Sequence, residues 1–406
     1  MNLVLDPVRV FLVAILVLWV GSVLRGRVGV LERLNVPVAV IGGIVASLGF
    51  AAFTLTSGRE VAFDLSTRDV LLLTFFSTIG LDARLSRLRA GGRALLLLMG
   101  ATLVFLILQN VVGVTVAALL GRHPGFGLIG GSVSFAGGHG TAITWGGIAD
   151  ASGFDGTTEL GLAFATFGLI AGGLVGGPIA SRLVRGLPDG APKHHGGKAS
   201  DADADEDAPR TYAVTSGGVI RTLFLLALCI AAGRELNLAL SDMGTVVPGF
   251  LTSMAVGIVL TNLMAWRGLD LDEETLQLLQ QVSLQLFLAM SLMSMQLTQL
   301  ADSIGAIAVV LAAQVALVVV YSRFVVFRIL GGDYDAAVAS AGFAGLGLGA
   351  TPVGVANMDA VTQRHGPSMK AMLIVPLIGA FFLDIANALV IQGALTLPPF
   401  ELDAGR

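Results

Sequence analysis

Charge is scarce in this sequence. Asp, Glu, Lys and Arg together make up 13% of its 406 residues, against about 25% in an ordinary soluble domain. Cysteine is scarcer still. The single Cys229 excludes an internal disulfide framework and any multi-cysteine metal cage, and it reads as a small core hydrophobe. The net charge of −4 comes with no basic stripe of the kind nucleic acid requires. No P-loop is present, so ATP is not expected as an energy source, and no HExxH or paired metal-carboxylate motif appears. Ser132 sits in "GGSVS", which does not fit the G-x-S-x-G of a serine hydrolase. No cleavable leader is expected: Met1 to Val10 holds one acid and one base, and no small-residue cleavage site follows the first apolar run.

What the chain does have is apolar surface. Apolar residues make up 55% of it, the mean hydropathy is +0.84, and several apolar runs are long and continuous. That pattern predicts a multi-span membrane protein built of helices rather than a barrel, whose strands would alternate over about 10 residues. Glycine, 53 of 406 residues, is about twice its usual 7%. Small residues let membrane helices approach closely, and glycine also permits broken backbone.

The chain divides at "GLPDGAPKHHGGKASDADADEDAPR", Gly186 to Arg210, whose composition is that of a flexible linker. His194 and His195 within it have no third metal ligand at useful spacing. The flanking halves match. "VPVAVIGGIVASLGF" from Val36 pairs with "VPGFLTSMAVGIVLTN" from Val247, "FFSTIGLDARLSRL" from Phe75 with "LFLAMSLMSMQLTQL" from Leu286, and "FAGGHGT" from Phe135 with "FAGLGLGAT" from Phe343, at offsets of 211, 211 and 208 residues. Such repeats mark secondary transporters.

Five spans are predicted per half: 8–24, 36–56, 69–81, 95–120 and 159–185, then 214–240, 246–265, 280–298, 304–330 and 370–395. A glycine-rich re-entrant segment lies before the last span of each half, at 125–148 and at 336–357. The domain plan is therefore an N-terminal repeat 1–186, a cytoplasmic linker 187–212, a C-terminal repeat 213–397 and a periplasmic tail 398–406. An odd number of spans per half inverts the second half relative to the first. With the N-terminus outside, 18 of the 24 Lys and Arg fall on the cytoplasmic side, as the positive-inside rule requires.

Helices broken at Gly137–Gly138–His139–Gly140 and at Gly345–Leu346–Gly347–Leu348–Gly349 would free backbone groups near the midplane, tolerable only where protein or a wet cavity covers them. Half-helix N-termini attract carboxylates, while freed carbonyls and hydroxyls can ligate Na⁺. One device thus suits an anionic organic solute moved with sodium. The expected substrate contacts are Ser134, Gly138, His139, Gly140 and Thr141 at the first tip, and Gly347, Gly349, Ala350, Thr351 and Asn357 at the second. His139 could alternatively relay protons or simply shape its tip. Asp384, in the last span, is a costly lone carboxylate and a functional candidate by default. Asn387 shares its helical face. Asp384, Asn387 and Thr351 form the expected Na⁺ site, the alternatives being that Asp384 and Asn387 hold a substrate ammonium or make a structural bond between helices. Gln109, Asn110 and Gln314 read as interhelical glue, and Arg364 as an ordinary cytoplasmic charge or a carboxylate clamp.

At these residues the chain resembles the sodium/glutamate symporter family, the bacterial glutamate:sodium symporters. The resemblance is carried by "FFSTIGLDARLSRLRAGGR" from Phe75, "GGHGT" from Gly137, "YDAAVASAGFAGLGLGATP" from Tyr334 and "VPLIGAFFLDIANALVI" from Val375. The family's tips follow G-G-x-G, which the first tip here obeys and the second does not strictly. The resemblance implies an all-α polytopic membrane protein with two inverted five-helix repeats, working as an elevator whose mobile domain carries the tips along a fixed scaffold. It also implies a homodimer in the bacterial inner membrane, both termini periplasmic, importing L-glutamate with sodium ions, without a cofactor or nucleic acid and without enzymatic activity. The alternatives are a di- or hydroxycarboxylate symporter, proton coupling through His139, and a membrane enzyme or channel.

Overall fold

A computed structural model describes residues 3–29, 31, 37–59, 61–86, 91–151, 154, 156–187, 215–243, 247–295 and 303–397. The linker beyond Leu187, with His194 and His195, and the tail 398–406 lie outside the described residues.

Helices dominate, and their starts follow local chemistry. In the first half these are α1 Pro7–Arg27, α2 Val38–Ser57, α3 Ser66–Asp82, α4 Gly92–Leu119, α5 Pro124–Leu128, α6 Gly138–Ala151 and α7 Thr157–Arg185. In the second they are α8 Ser216–Asp242, α9 Gly249–Trp266, α10 Glu273–Met293, α11 Ile304–Ile329, α12 Tyr334–Leu348, α13 Thr351–His365, and α14, made of Met369–Leu377, a π turn Ile378–Phe382 and Leu383–Leu395. Side-chain oxygens of Asp6, Thr215, Asp272, Asp333 and Ser368 accept from the first free N–H groups of α1, α8, α10, α12 and α14, satisfying donors that have no partner within the helix. Thr275 gives Asp272 both its N–H and its hydroxyl, which holds that carboxyl below the usual carboxylate range. Asp150 bridges the turn into α7, taking the N–H groups of Thr157 and Thr158 at 2.8 and 3.2 Å.

The two halves keep the same helix order. Val38 and Gly249, Gly92 and Ile304, Pro124 and Tyr334, and Thr157 and Met369 begin matching helices 211, 212, 210 and 212 residues apart. Among the described residues, eight helices are long and apolar enough to cross a membrane: α1, α2, α4, α7, α8, α9, α10 and α11. α3, with 17 residues, falls short of that length, as do the separate α-helical pieces of the interrupted α14, with 9 and 13 residues. One element departs from the all-α expectation. Leu3–Leu5 and Val61–Phe63 pair as a short parallel ribbon, a long-range pairing that three-residue segments do not announce.

Packing cuts across the halves. Phe105, Phe135, Phe164, Phe343 and Ile374 belong to one apolar core, shared by α4, the hairpin α5–α6, α7, α11, the hairpin α12–α13 and α14. Val17, Ile41, Phe76, Phe250, Phe287 and Met290 belong to a second, shared mainly by α1, α2, α3, α9 and α10, which Ile143 of α6 and Leu162 of α7 also enter. A smaller cluster around Cys229 ties in α8. The first three helices of each half thus form one body, and the last four form another. Glycine permits a close crossing of α3 and α9 in the first body. A Cβ on Gly80 would overlap the Met254 carbonyl oxygen, and one on Gly257 would lie 3.0 Å from the Gly80 carbonyl carbon. Beyond α3 the chain stays fastened: Leu85 N–H donates to Asn262 Oδ1 at 2.9 Å, and Asn262 Nδ2 donates to Ala83 O at 2.9 Å.

Candidate functional site

Each hairpin in the second body is a broken helix, but the breaks fall beside the expected positions. In the first, α5 runs into a π turn, Ile129–Val133, in which Gly131 leaves helical space at φ −111°, ψ −137°. The chain turns at 134–137, and α6 restarts at Gly138 with φ +64°, a left-handed conformation that glycine adopts at no steric cost. His139 and Gly140 therefore lie in the first turn of α6, not in the break. In the second hairpin α12 stays helical through Gly345, Leu346 and Gly347 and stops at Gly349, with Ala350 extended at φ −168° before Thr351 opens α13. Glycine there serves packing: Gly345 lies against Gly354 and Asn357, and Gly347 against Phe105, so the helix persists where the sequence suggested a gap.

The two tips meet. A Cβ on Gly138 would sit 3.4 Å from Gly349 O, so the N-terminus of α6 abuts the end of α12, next to the N-terminus of α13. α14 holds both tips. Asn387 Nδ2 donates to Ser132 O at 2.9 Å, and a Cβ on Gly379, in the π turn of α14, would overlap Thr351 Oγ1. Such single π turns often occur at functional sites. Asp384 follows that turn directly, half-buried, and makes no hydrogen bond or ion pair with any described residue. Asn387 Oδ1, Ser132 Oγ and Ser134 Oγ are buried and also unpartnered among the described residues. A buried oxygen left without a donor costs free energy. The Asn387–Ser132 bond brings two of these residues together, and carboxylate, amide and hydroxyl oxygens are the donors that suit a small hard cation.

The other expected residues divide. His139 is 5% exposed, and its Nε2 lies 3.1 Å from Thr166 Oγ1 on α7, which commits one ring nitrogen to a neighbouring helix. Gly140 packs on Phe76 and Leu72 of α3, at the boundary between the two bodies. Thr141 is buried on the inner turn of α6. Asn357 lies away from the tips, its Nδ2 donating to Gly172 O at 3.0 Å and to Ala341 O at 3.3 Å, so it clamps α13 onto α7 and α12.

The amides read as glue turn out to support the broken backbone itself. Gln109 Nε2 donates to Gly347 O at 2.7 Å. Gln314 Nε2 reaches Gln109 O at 2.8 Å and Gly130 O at 3.0 Å. Asn110 Oδ1 accepts from Ser132 N–H at 2.8 Å. The signal in the sequence was a side-chain amide in an apolar span, and its target could not be read there. Gln109→Leu strips the Gly347 carbonyl of its donor. The expected loss is about 1–3 kcal/mol of stability, seen as a lower thermal midpoint in detergent, with Leu108→Ala at a partly buried neighbouring position as a control for packing alone.

The family model described as "Sodium/glutamate symporter" matches residues 3–367. The chain is 40% identical over 400 residues to a protein of Escherichia coli (strain K12) named "Sodium/glutamate symporter", covering 98% of this chain and 99% of that protein. It is 37% identical over 382 residues to the protein of the same name from Haemophilus influenzae (strain ATCC 51907 / DSM 11121 / KW20 / Rd), covering 93% and 94%. No solved structure gives a significant match.

Proposed function

The chain belongs to the sodium/glutamate symporter family, and from that premise we propose how its site works as a sodium-coupled glutamate transporter. The carrying observation is the meeting of Gly138 with Gly349 O, which brings the freed ends of two broken helices to one place. The α6 and α13 N-termini each offer a carboxylate about 0.3–1 kcal/mol, and up to about 2 kcal/mol in a partly buried site. The substrate carboxylates lie against Ser134, Gly138, His139, Gly140 and Thr141 on one side, and against Gly347, Gly349, Ala350 and Thr351 on the other. Asn357 positions α13 rather than touching the solute. Asp384, Asn387 and Thr351 hold Na⁺, with the unpartnered Ser132 and Ser134 hydroxyls beside them.

In the bilayer the halves are inverted repeats of five spans each, with α3 and α14 crossing as the two shorter members. The N-terminus is periplasmic in a bacterial inner membrane, and the linker 187–212 is cytoplasmic. The partition of the cores supports an elevator: the body holding both hairpins moves along the body of α1–α3 and α8–α10, and Gly140 on Phe76 is part of the sliding surface. A homodimer rests on the family resemblance. Glutamate carries one negative charge, so two or more Na⁺ per glutamate let the membrane potential drive uptake, each net positive charge gaining about 2.3 kcal/mol per 100 mV.

Purified protein in proteoliposomes with an imposed Na⁺ gradient is expected to accumulate labelled L-glutamate. Preloaded unlabelled glutamate is expected to accelerate entry of the label, which a pore or hydrolase would not show. Uptake that ignored Na⁺ and followed a proton gradient would overturn the sodium assignment and favour His139 as a relay.

A further inference from the structure

At the far end of α7 and α13 from the tips, the chain forms a basic cleft outside the proposed glutamate and Na⁺ sites. Arg182 and Arg185 occupy the last turn of α7, and Arg364 and His365 the last turn of α13. Between them lies a cavity of about 560 Å³ whose floor is apolar, formed in part by Pro178 and Val361. Arg182, Arg185 and Arg364 are exposed, and none makes a hydrogen bond or ion pair with any described residue. Asp359, on α13 itself, does not pair with them. By contrast Arg9, Arg68, Arg84 and Lys370 all pair with carboxylates elsewhere.

The dipoles of two helix C-termini favour bases there, though only by about 0.3–1 kcal/mol each and only within the last turn. Helix ends alone therefore do not explain why three guanidiniums from two helices face one cavity with no carboxylate partner among the described residues. Guanidiniums grip phosphate oxygens in a bidentate fork. The cleft sits where a membrane-crossing helix of 29 residues ends, on the side to which the basic residues assign the cytoplasm. Basic pockets at that level between membrane helices suit anionic headgroups. The apolar floor favours a ligand with a glycerol backbone and acyl chains over a free inorganic ion.

We propose that this cleft binds the phosphodiester headgroup of an anionic phospholipid of the inner leaflet, with Arg182, Arg185 and Arg364 holding the phosphate and Pro178 and Val361 the glycerol. The bound lipid ties the end of α7 to the end of α13. These are the two helices that Asn357 joins through Gly172 O, and α13 begins at the second tip. The lipid therefore steadies that tip without touching the solute.

Native mass spectrometry of the full chain, extracted with a defined mixture of phosphatidylglycerol and phosphatidylcholine, tests this without any transport assay. Wild-type protein is expected to retain phosphatidylglycerol in preference to phosphatidylcholine, and the triple variant Arg182→Gln, Arg185→Gln, Arg364→Gln to lose that preference at least tenfold. The matching triple lysine variant, which keeps the charge and reports on folding, is expected to retain it in part. Equal retention by wild type and glutamine variant, or no preference in the wild type, overturns the proposal. Displacement of the retained lipid by millimolar inorganic phosphate assigns the site to free phosphate and overturns the lipid assignment. In vesicles of phosphatidylcholine alone the glutamine variant is expected to show the wild-type KM for glutamate. A raised KM there would make the cleft part of the substrate path and overturn the proposal.

Discussion

Asp384→Asn is expected to cut the steady-state glutamate gradient about 50-fold at a membrane potential of 100 mV. The carboxylate follows directly on the π turn of α14 and has no protein partner among the described residues. Asn387 spends its N–H on Ser132 O and leaves Oδ1 free. A carboxylate so placed is costly unless a cation meets it. On the proposed Na⁺ site, removing its charge removes one Na⁺ from each cycle, and with it about 2.3 kcal/mol of driving free energy per 100 mV. At about 1.36 kcal/mol per decade that is roughly a 50-fold loss in accumulation. The check is the ratio of internal to external labelled glutamate in proteoliposomes at a clamped potential, together with the Na⁺ dependence of the initial rate. Asp384→Glu keeps the charge and is expected to retain part of the gradient. An asparagine variant with the wild-type ratio and the wild-type Na⁺ slope would reduce Asp384 to a structural residue.

Gly80→Leu is expected to be among the most damaging single changes in the first body. At the crossing of α3 and α9 the space a side chain needs is filled by the Met254 backbone, and backbone cannot rotate aside as a side chain can. Overpacking a tight contact costs about 1–3 kcal/mol when the neighbours can shift, and here α3 must move away from α9 altogether. The loss is expected to exceed about 3 kcal/mol, with little monodisperse protein surviving size-exclusion chromatography. Gly100 on α4 supplies the contrast, because nothing lies within 4 Å of a Cβ placed there. Gly100→Ala is expected to leave yield and thermal midpoint unchanged or slightly raised, since alanine favours a helix over glycine by about 1 kcal/mol. Equal tolerance of the two changes would show that the α3–α9 crossing does not hold the fold.

The sequence carried the helices well because apolar length and capping residues are local properties. The glycine-rich segments were also legible as interruptions. Their geometry was not, because a glycine that breaks a helix and one that lets two helices touch are the same letter. Gly345 and Gly347 were read as a gap and are contacts instead. Gly131, which was not singled out, carries the sharpest departure from helical backbone. Asn357 looked like a ligand because it is polar and near a tip in sequence, yet its amide is taken by Gly172 O and Ala341 O. The ties from Gln109, Gln314 and Asn387 to broken backbone span 238, 184 and 255 residues of chain, and no local pattern encodes separations of that size. The ribbon of Leu3–Leu5 with Val61–Phe63 was missed for the same reason.

The fastening of the chain after α3 reaches from one half of the molecule into the other. Asn262, late in α9, accepts from Leu85 N–H and donates to Ala83 O across 177 and 179 residues of chain. Neither half therefore completes its own first three helices unaided. A fragment ending at the linker would lose the Asn262 latch, and it is expected to assemble only when the complementary fragment is co-expressed.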